Sequence, residues 1–390
     1  MKLLIGLLFV LFSSQIVSET LQDRFSLNSD FNIRPSQYMT ESPFLVDRNR
    51  LLYIGKTINI DVPSLHFYEF ATKSKLTFSP PIREYFLSHK ELIFPGVEAL
   101  KENYLPVYIS EFLFFDREDG LLGMIVEQSH YKLPEKKFYF VVWNLEEKDI
   151  EHFQEIDTRK NSDYDRYAVA LPIAYDEEAK TAYFAYGVDA SLKNKEVKDV
   201  NTKVFSYSAR NLTLLYSYIS HRFPYHAAYH SGVKKILIQT YAESHQKPAP
   251  DGILLDLDSL VATVIPVPFV SYGTTFSKSG DRLYLCSAEN GNLWVLDTKT
   301  GKTFQTAKLG TLGHSLGFWK EGELVWVRNS GVFVYDPITL KQKKVIPLTK
   351  YFKGQINVAG SLLIPYQGLL VRNGFEGPDG AAGHLLLTAD

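Results

Sequence analysis

Short runs of alternating hydrophobic and polar residues, separated by Gly and Asp turns, occur twice in residues 276–348. Phe276 of the first copy corresponds to Phe318 of the second, 42 residues later, and Asp297 corresponds to Asp336, 39 residues later. Two-residue alternation predicts strands, and a period near 40 is typical of the four antiparallel strands of one β-propeller blade. The pattern therefore predicts a propeller.

The same unit can be aligned along most of the chain. Its first aromatic or apolar residue falls at Phe44, Phe114, Tyr175, Tyr229, Phe276, Phe318 and Leu362. The last unit ends at Asp390, before a fourth strand, whereas residues 19–33 belong to no unit. Because a closed ring leaves no exposed sheet edge, that segment is expected to supply the missing strand.

The predicted fold is all-β: a seven-bladed β-propeller with four-stranded antiparallel blades, in which an N-terminal strand closes the last blade. Six or eight blades remain alternatives. Residues 79–108 interrupt the rhythm with Pro80-Pro81 and an apolar run that does not alternate. They predict an insertion between the first two blades, with one or two helical turns, within a single domain of residues 19–390.

The N-terminus predicts a signal peptide. Lys2 is followed by an apolar run over residues 3–17, too short to span a bilayer, and by Ser18, where cleavage is expected. An uncleaved anchor is the alternative. The predicted location is secreted or periplasmic, with no membrane span in the mature chain. Cys286 is the only cysteine, so no internal disulfide can form.

Charge and motifs exclude several functions. The net charge is -2 with both signs interspersed, which provides no basic surface for nucleic acid. No phosphate-binding loop, dinucleotide motif, nucleophile elbow or His-Glu-x-x-His motif is present. We therefore expect a monomer that binds a protein or a small molecule.

The candidate site follows from propeller geometry, because the loops entering each innermost strand and those joining the second and third strands open at one end. Three residues before each aligned position stand Glu41, Glu111, Pro172, His226, Gly273, Ser315 and Ala359. The predicted ligand-binding residues of this channel mouth are Glu41, Glu111, His226, Tyr272 and His314. The long loops add His130, Lys132, His245 and Lys247.

A metal site is one hypothesis for this mouth. Carboxylates and neutral imidazoles bind zinc and similar ions, so Glu41, Glu111, His226 and His314 are candidate ligands for a divalent metal. The simpler interpretation is a wet, polar channel mouth without a cofactor. His226 and His230 stand four residues apart and would share a strand face, although structural histidines are the simpler interpretation there too.

The sequence Asp297-Thr-Lys-Thr-Gly, following a strand, resembles blades of the seven-bladed YVTN and quinoprotein-amine-dehydrogenase-like propellers. This resemblance implies the fold rather than a function. Residues 228–256 resemble a blade of the amine dehydrogenase heavy subunit, which would imply docking of a smaller quinone-bearing subunit.

A second resemblance concerns Glu41-Ser42-Pro43, which is similar to the Glu-Gly-Pro triplet of gluconolactonase-type lactonases. In that family the Glu is a metal ligand, but the blades number six and the other ligands are Asn and Asp. This chain has His226 and Tyr272 at comparable places.

The expected function is that of an extracytoplasmic propeller that binds a protein or small ligand on its loop-rich channel face without catalysis. A metal-dependent, lactonase-like hydrolase and a docking subunit of a periplasmic redox complex are the alternatives.

Overall fold

A computed structural model of the chain describes residues 21–25, 44–47, 50–55, 64–69, 74–78, 80–93, 107–116, 118–130, 135–160, 168–189, 200–220, 223–240, 251–267, 271–287, 290–310, 313–319, 322–350, 356, 358–364, 368–373 and 383–388. These residues are almost entirely β-strands. The signal peptide (residues 1–18), Glu41, Lys132, His245 and Lys247 lie outside this range, so the predictions made for them stay predictions.

The N-terminal part contains five strands and a short helix. The strands are β1 (Leu21–Phe25), β2 (Phe44–Asp47), β3 (Arg50–Gly55), β4 (Ser64–Glu69) and β5 (Ser74–Phe78). Strands β2 to β5 pair in sequence order. Helix α1 (Ile82–Ser88) and a 3-10 turn (Lys90–Leu92) follow within residues 79–108, and α1 packs Ile82 and Phe86 against the next sheet.

Five four-stranded antiparallel sheets, named A to E, make up the central part, each with its strands in sequence order. Sheet A comprises β6 (Val107–Asp116), β7 (Leu121–Gln128), β8 (Glu135–Asn144) and β9 (Asp149–Lys160). Sheet B comprises β10 (Ala168–Asp176), β11 (Thr181–Asp189), β12 (Val200–Ser208) and β13 (Asn211–Ser220). Sheet C comprises β14 (Pro224–His230), β15 (Lys235–Thr240), β16 (Asp251–Asp256) and β17 (Ala262–Pro266).

Sheet D comprises β18 (Ser271–Phe276), β19 (Arg282–Ser287), β20 (Asn292–Asp297) and β21 (Thr303–Lys308). Sheet E comprises β22 (Gly313–Trp319), β23 (Glu323–Arg328), β24 (Gly331–Tyr335) and β25 (Gln342–Pro347), followed by a 3-10 turn (Leu348–Lys350). At the C-terminus, β26 (Val358–Ile364), β27 (Gly368–Asn373) and β28 (Gly383–Thr388) pair in order, and β1 pairs with β28.

Burial changes systematically across each sheet. The second strands, such as β15, β19 and β23, are almost continuously buried, whereas the fourth strands β13, β21 and β25 are largely exposed. A strand buried on both faces reads as a continuous apolar run, and Leu283–Leu285 of β19 is an example. Sheets A to E therefore each have a buried inner side and a solvent side.

Neighbouring sheets pack face to face. The first strands β6, β10, β14, β18, β22 and β26 are neighbours in this order. Between sheets A and B, the rings of Phe140 and Phe184 stack with centroids 5.2 Å apart. Between sheets D and E, Cys286 and Trp326 join one apolar cluster. The prediction of an all-β chain built from four-stranded antiparallel sheets is confirmed, and the arrangement is propeller-like.

Aspartates at strand ends form the repeated turns. The Oδ1 atoms of Asp116, Asp176, Asp297 and Asp336 each accept backbone N–H groups from the residues two and three positions later. The turns end with a residue of positive φ, for example Gly301 at 67°. Such local bonds favour turns over continued strands, which explains the Asp-rich punctuation of the sequence.

The end of the sheets that carries these turns is called the turn end. There a tyrosine hydroxyl connects sheet B to sheet A, and another connects sheet C to sheet B. The Tyr175 hydroxyl of sheet B donates to Asp116 of sheet A at 2.6 Å, and Tyr229 of sheet C donates to Asp176 of sheet B at 2.5 Å. Burial alone would raise the pKa of Asp116, but the hydrogen bonds from Tyr175, from backbone N–H groups and from Lys180 outweigh it and lower that pKa.

We expect Tyr175→Phe to lower the free energy of unfolding by ~1–2 kcal/mol, because it removes a hydrogen bond to a charged acceptor while keeping the ring. Urea denaturation measures the change. Tyr216→Phe is the matched control, since its hydroxyl makes no hydrogen bond within the described residues and its ring also packs at a sheet interface.

The pH dependence gives a second readout for Tyr175→Phe. The folded-state pKa of Asp116 is lowered, so its ionised form contributes stability above its unfolded pKa of ~3.9, and this contribution is lost as the pH falls through the folded pKa. The difference in the free energy of unfolding between wild type and Tyr175→Phe should thus have its full size above about pH 4 and decrease below it. A difference that does not change with pH would contradict the role given to Asp116.

Candidate functional site

A β-bulge recurs near the start of the innermost strands. In β6, β14, β18 and β22 the pairing skips one residue, namely Ser110, Tyr225, Tyr272 and His314. The residue directly after each bulge is Glu111, His226, Gly273 or Ser315, which the sequence alignment placed at the loop-rich end. Bulges near strand ends redirect side chains. The bulge therefore recurs at equivalent positions in four sheets, and the predicted residues directly follow it.

Glu111 lies at the interface between sheets A and B. It is only 3% exposed and pairs across the ladder with Ile125, whose side chain belongs to the apolar cluster shared with sheet B. Directly opposed residues of an antiparallel pair have side chains on the same face. Glu111 is therefore directed at sheet B.

His226 lies at the interface between sheets C and D. Its ladder partner is Gln239, whose Oε1 accepts a hydrogen bond from the Thr274 hydroxyl of sheet D at 2.5 Å. The residue is partly exposed but its Nε2 is buried, and burial lowers the pKa of the imidazole to about 4. The ring is therefore neutral near pH 7, and it packs edge-on against Tyr225 with centroids 4.4 Å apart.

The other predicted residues are only partly described. Tyr272 and His314 are the bulge residues of β18 and β22, and their side chains lie outside the described part of the chain. His130 follows β7 at the loop-rich end and is half-buried. His230 lies at the opposite end of β14 from His226, where Nε2 is 3.0 Å from the carbonyl oxygen of Lys278. His226 and His230 thus lie toward opposite ends of β14.

The metal hypothesis stays a prediction. Glu111 and His226 face different sheet interfaces, and the described residues contain no group of three or more His, Cys, Asp or Glu able to hold an ion. Glu41 and the side chain of His314 lie outside those residues, so the four-residue set is not tested.

Two uncharged polar residues at the loop-rich end were missed by sequence reasoning. Gln128, at the end of β7, is fully buried, and neither polar atom of its amide has a hydrogen-bond partner within the described residues. Gln239 is 3% exposed. An unpaired buried amide is unfavourable by about 1–3 kcal/mol, so such groups call for an explanation beyond packing. Nothing in a strand-like sequence marks a Gln as buried rather than exposed.

A second feature lies at the turn end, where sheets A and B enclose a cleft of ≈ 460 Å³. Its lining includes Asp116, Glu151, Tyr175, Lys180, Tyr207 and Arg210. Sequence reasoning did not find this cleft, because its residues come from separate turns of two blades. Lys180 bridges Glu118 at 2.6 Å and Asp116 at 3.3 Å.

The only cysteine, Cys286, is inert in this environment. It is fully buried opposite Gly273, and burial raises the pKa of its thiol well above the usual value. Among the described residues, no helix is long and apolar enough to cross a membrane.

Comparison with known proteins establishes the fold but no family. No protein-family model and no curated protein match the chain. A chain from the "Crystal Structure of Mitotic Checkpoint Complex" is 9% identical with a TM-score of 0.51, and "Oligogalacturonate lyase in complex with manganese" is 10% identical with a TM-score of 0.53; in both comparisons 94% of this chain and 96% of the other are covered. The fold is a β-propeller.

A third structure, the β-propeller domain of Myceliophteria thermophila Cps50 (Swd1), is 11% identical over 71% of this chain and 85% of the other, with a TM-score of 0.45. In total 833 chains of known structure match this propeller. A fold shared so widely does not restrict the function, which must be argued from the site.

We expect Gly273→Ala to destabilise the propeller by ~1–3 kcal/mol or more, because the added methyl group would lie 2.3 Å from Leu316 Cβ and 2.7 Å from Leu316 N of sheet E. Thermal denaturation measures the loss. Gly232→Ala is the control, since its nearest neighbour would be the movable imidazole of His230 at 3.2 Å. Equal effects of the two substitutions would contradict a tight approach of β18 to β22.

Proposed function

We propose that this protein is a non-enzymatic, extracytoplasmic β-propeller that binds a protein or small ligand at its loop-rich end. The observation that supports this proposal is a pair of polar groups at equivalent strand positions, Glu111 in sheet A and His226 in sheet C, each directed at an otherwise apolar sheet interface. Gln128 and Gln239 add buried amides on the adjacent strands. Apolar residues at these positions would pack the interfaces at lower free energy. Polar groups kept there despite this penalty favour a role in recognition.

Binding is favoured over catalysis by the chemistry of these groups. Glu111 and His226 are directed at different sheet interfaces, so these two groups do not act as an acid–base pair on one substrate. The neutral imidazole and the amides act as hydrogen-bond donors and acceptors. They suit an uncharged polar ligand or the backbone of a docked protein.

We further propose that the sheets form a closed ring of seven blades, related to the YVTN and quinoprotein-amine-dehydrogenase-like propellers. Support comes from the pairing of β1 with β28, in which Leu21 pairs with Leu387 and Phe25 with His384. An N-terminal strand that completes the last sheet joins the two chain ends. Both the ring and the ligand site would then depend on residues 19–33.

Deletion of residues 19–33 should lower the melting temperature and increase aggregation, because β28 becomes an exposed edge strand. A synthetic peptide of residues 19–33 should restore the melting temperature by adding back the strand. A scrambled peptide is the control. An unchanged melting temperature after the deletion would contradict closure through β1.

Native mass spectrometry of the exported protein tests the binding function. We expect wild type to carry a bound mass that is reduced at least tenfold in occupancy in the double variant Glu111→Gln, His226→Gln and kept in Glu178→Gln, an exposed turn-end control. Circular dichroism verifies that the variants fold. The protein mass itself reports whether the chain is cleaved near Ser18, as export predicts.

The nature of the bound mass separates the alternatives. A protein or organic mass supports the binding propeller, and a quinone-bearing subunit would identify a redox docking partner. A stoichiometric divalent metal lost in the double variant would instead favour the lactonase-like hydrolase, for which lactones and esters are the first substrates. No bound mass, or the same mass in all variants, would contradict a ligand site at the loop-rich end.

A further inference from the structure

The cleft between sheets A and B carries an excess of negative charge. Among its described lining residues, five carboxylates stand against two cationic groups, Lys180 and Arg210. Asp116 ends β6, and Glu118 and Asp119 belong to the turn that follows it. Glu146 belongs to the turn between β8 and β9, and Glu151 belongs to β9. The negative charge is therefore divided between two walls of the cleft, one at the β6–β7 turn and the other at the β8–β9 turn and β9.

Each wall already holds one cation of the protein. Lys180 is within 3.5 Å of Asp119 and 2.6 Å of Glu118, and Arg210 Nε donates to Glu151 Oε1 at 2.7 Å. The Arg210 side chain is 75% exposed, whereas that of Glu151 is only 11% exposed. An exposed guanidinium thus covers a largely buried carboxylate. Removal of this guanidinium alone would leave a largely buried charge unpaired, so whatever displaces Arg210 from Glu151 must itself be a cation.

The wall at Glu151 also contains a buried hydroxyl without a partner. Tyr207 is 4% exposed, its ring packs against Phe114 and Phe140 with centroids 5.8 and 5.0 Å away, and its hydroxyl has no hydrogen-bond partner within the described residues. Tyr207 lines the cleft. Burial, followed by the charge of Glu151, raises the pKa of this hydroxyl to about 12, so it remains a neutral donor and acceptor.

Two apolar side chains lie among the same lining residues. Leu121 is half-buried and Phe114 is 3% exposed, and both line the cleft together with the five carboxylates. A chain of methylene groups could lie on Leu121 and the accessible edge of Phe114 while its two ends reach carboxylates. An anionic ligand fits less well, because both cationic side chains are already paired with carboxylates and three negative charges remain in excess.

We propose that this cleft binds an organic dication of the aliphatic diamine class. One ammonium group replaces Arg210 on Glu151 and donates a hydrogen bond to the Tyr207 hydroxyl. The other binds the carboxylates of Glu118 and Asp119, and the methylene chain lies on Phe114 and Leu121. This site is at the turn end and is independent of the ligand proposed for the loop-rich end.

Isothermal titration calorimetry with putrescine at low ionic strength tests the proposal on the full mature chain. Tyr207→Phe should weaken binding about tenfold or more, because a hydrogen bond to a charged group is lost without a change in protein charge. Arg210→Ala should strengthen binding, because it uncovers Glu151. Lys234→Ala is the matched charge control, since Lys234 pairs with exposed Asp258 at 2.9 Å on a turn outside the cleft.

Two further measurements test the same proposal. Butylamine, with one ammonium group, should bind at least tenfold more weakly than putrescine if both walls take part. In the absence of ligand, Tyr207→Phe should melt at the same or a higher temperature than wild type, since the hydroxyl has no partner to lose. The proposal is overturned if putrescine does not bind, if Tyr207→Phe binds like wild type, or if Lys234→Ala strengthens binding as much as Arg210→Ala.

Discussion

The constraint on which the structure depends is that each four-stranded sheet has two apolar faces and must bury both. In β8, Phe140 joins the cluster shared with sheet B, whereas the adjacent Tyr139 and Val141 join the cluster on the other face, with α1. A sheet of this kind is not stable alone, because both of its apolar faces would be in contact with water. Neighbouring sheets on both sides are therefore a requirement of the fold, and the innermost strands line up as its consequence.

This constraint also explains how much of the fold could be predicted. The period near 40 and the Gly and Asp turns reveal the repeated unit, and the strands of sheets D and E lie where the twin sequence units place them. The contacts between units could not be predicted. Tyr175 and Asp116 are 59 residues apart, and the sequence shows Tyr175 only as one aromatic residue of a recurring position that Phe276 and Phe318 also occupy.

The candidate site could be predicted from the sequence less completely than the fold. Counting three residues back from the aligned aromatic selected Glu111 and His226, which in the structure each directly follow a bulge in the first strand of a sheet. It could not find the bulges at Ser110 and Tyr225, and one extra residue in a strand changes which face the following side chains occupy. The two side chains consequently lie in sheet interfaces, where burial alone makes the imidazole of His226 a weak base.

The two ends of the propeller differ in chemistry for a physical reason. The repeated turns are rich in Asp, because its carboxylate accepts the backbone N–H groups that a tight turn leaves unpaired. Two neighbouring turns of sheet A bring five carboxylates around the cleft, and Lys180 and Arg210 of sheet B only partly neutralise them. The loop-rich end has fewer charges: Gln128, Gln239 and the neutral imidazole of His226 accompany a single described carboxylate of the candidate set, Glu111. The ends are separated by the length of β8, roughly 20–30 Å, and by the stacked rings of Phe140 and Phe184. A ligand at one end therefore makes no contact with the other, and the same scaffold can hold two independent sites.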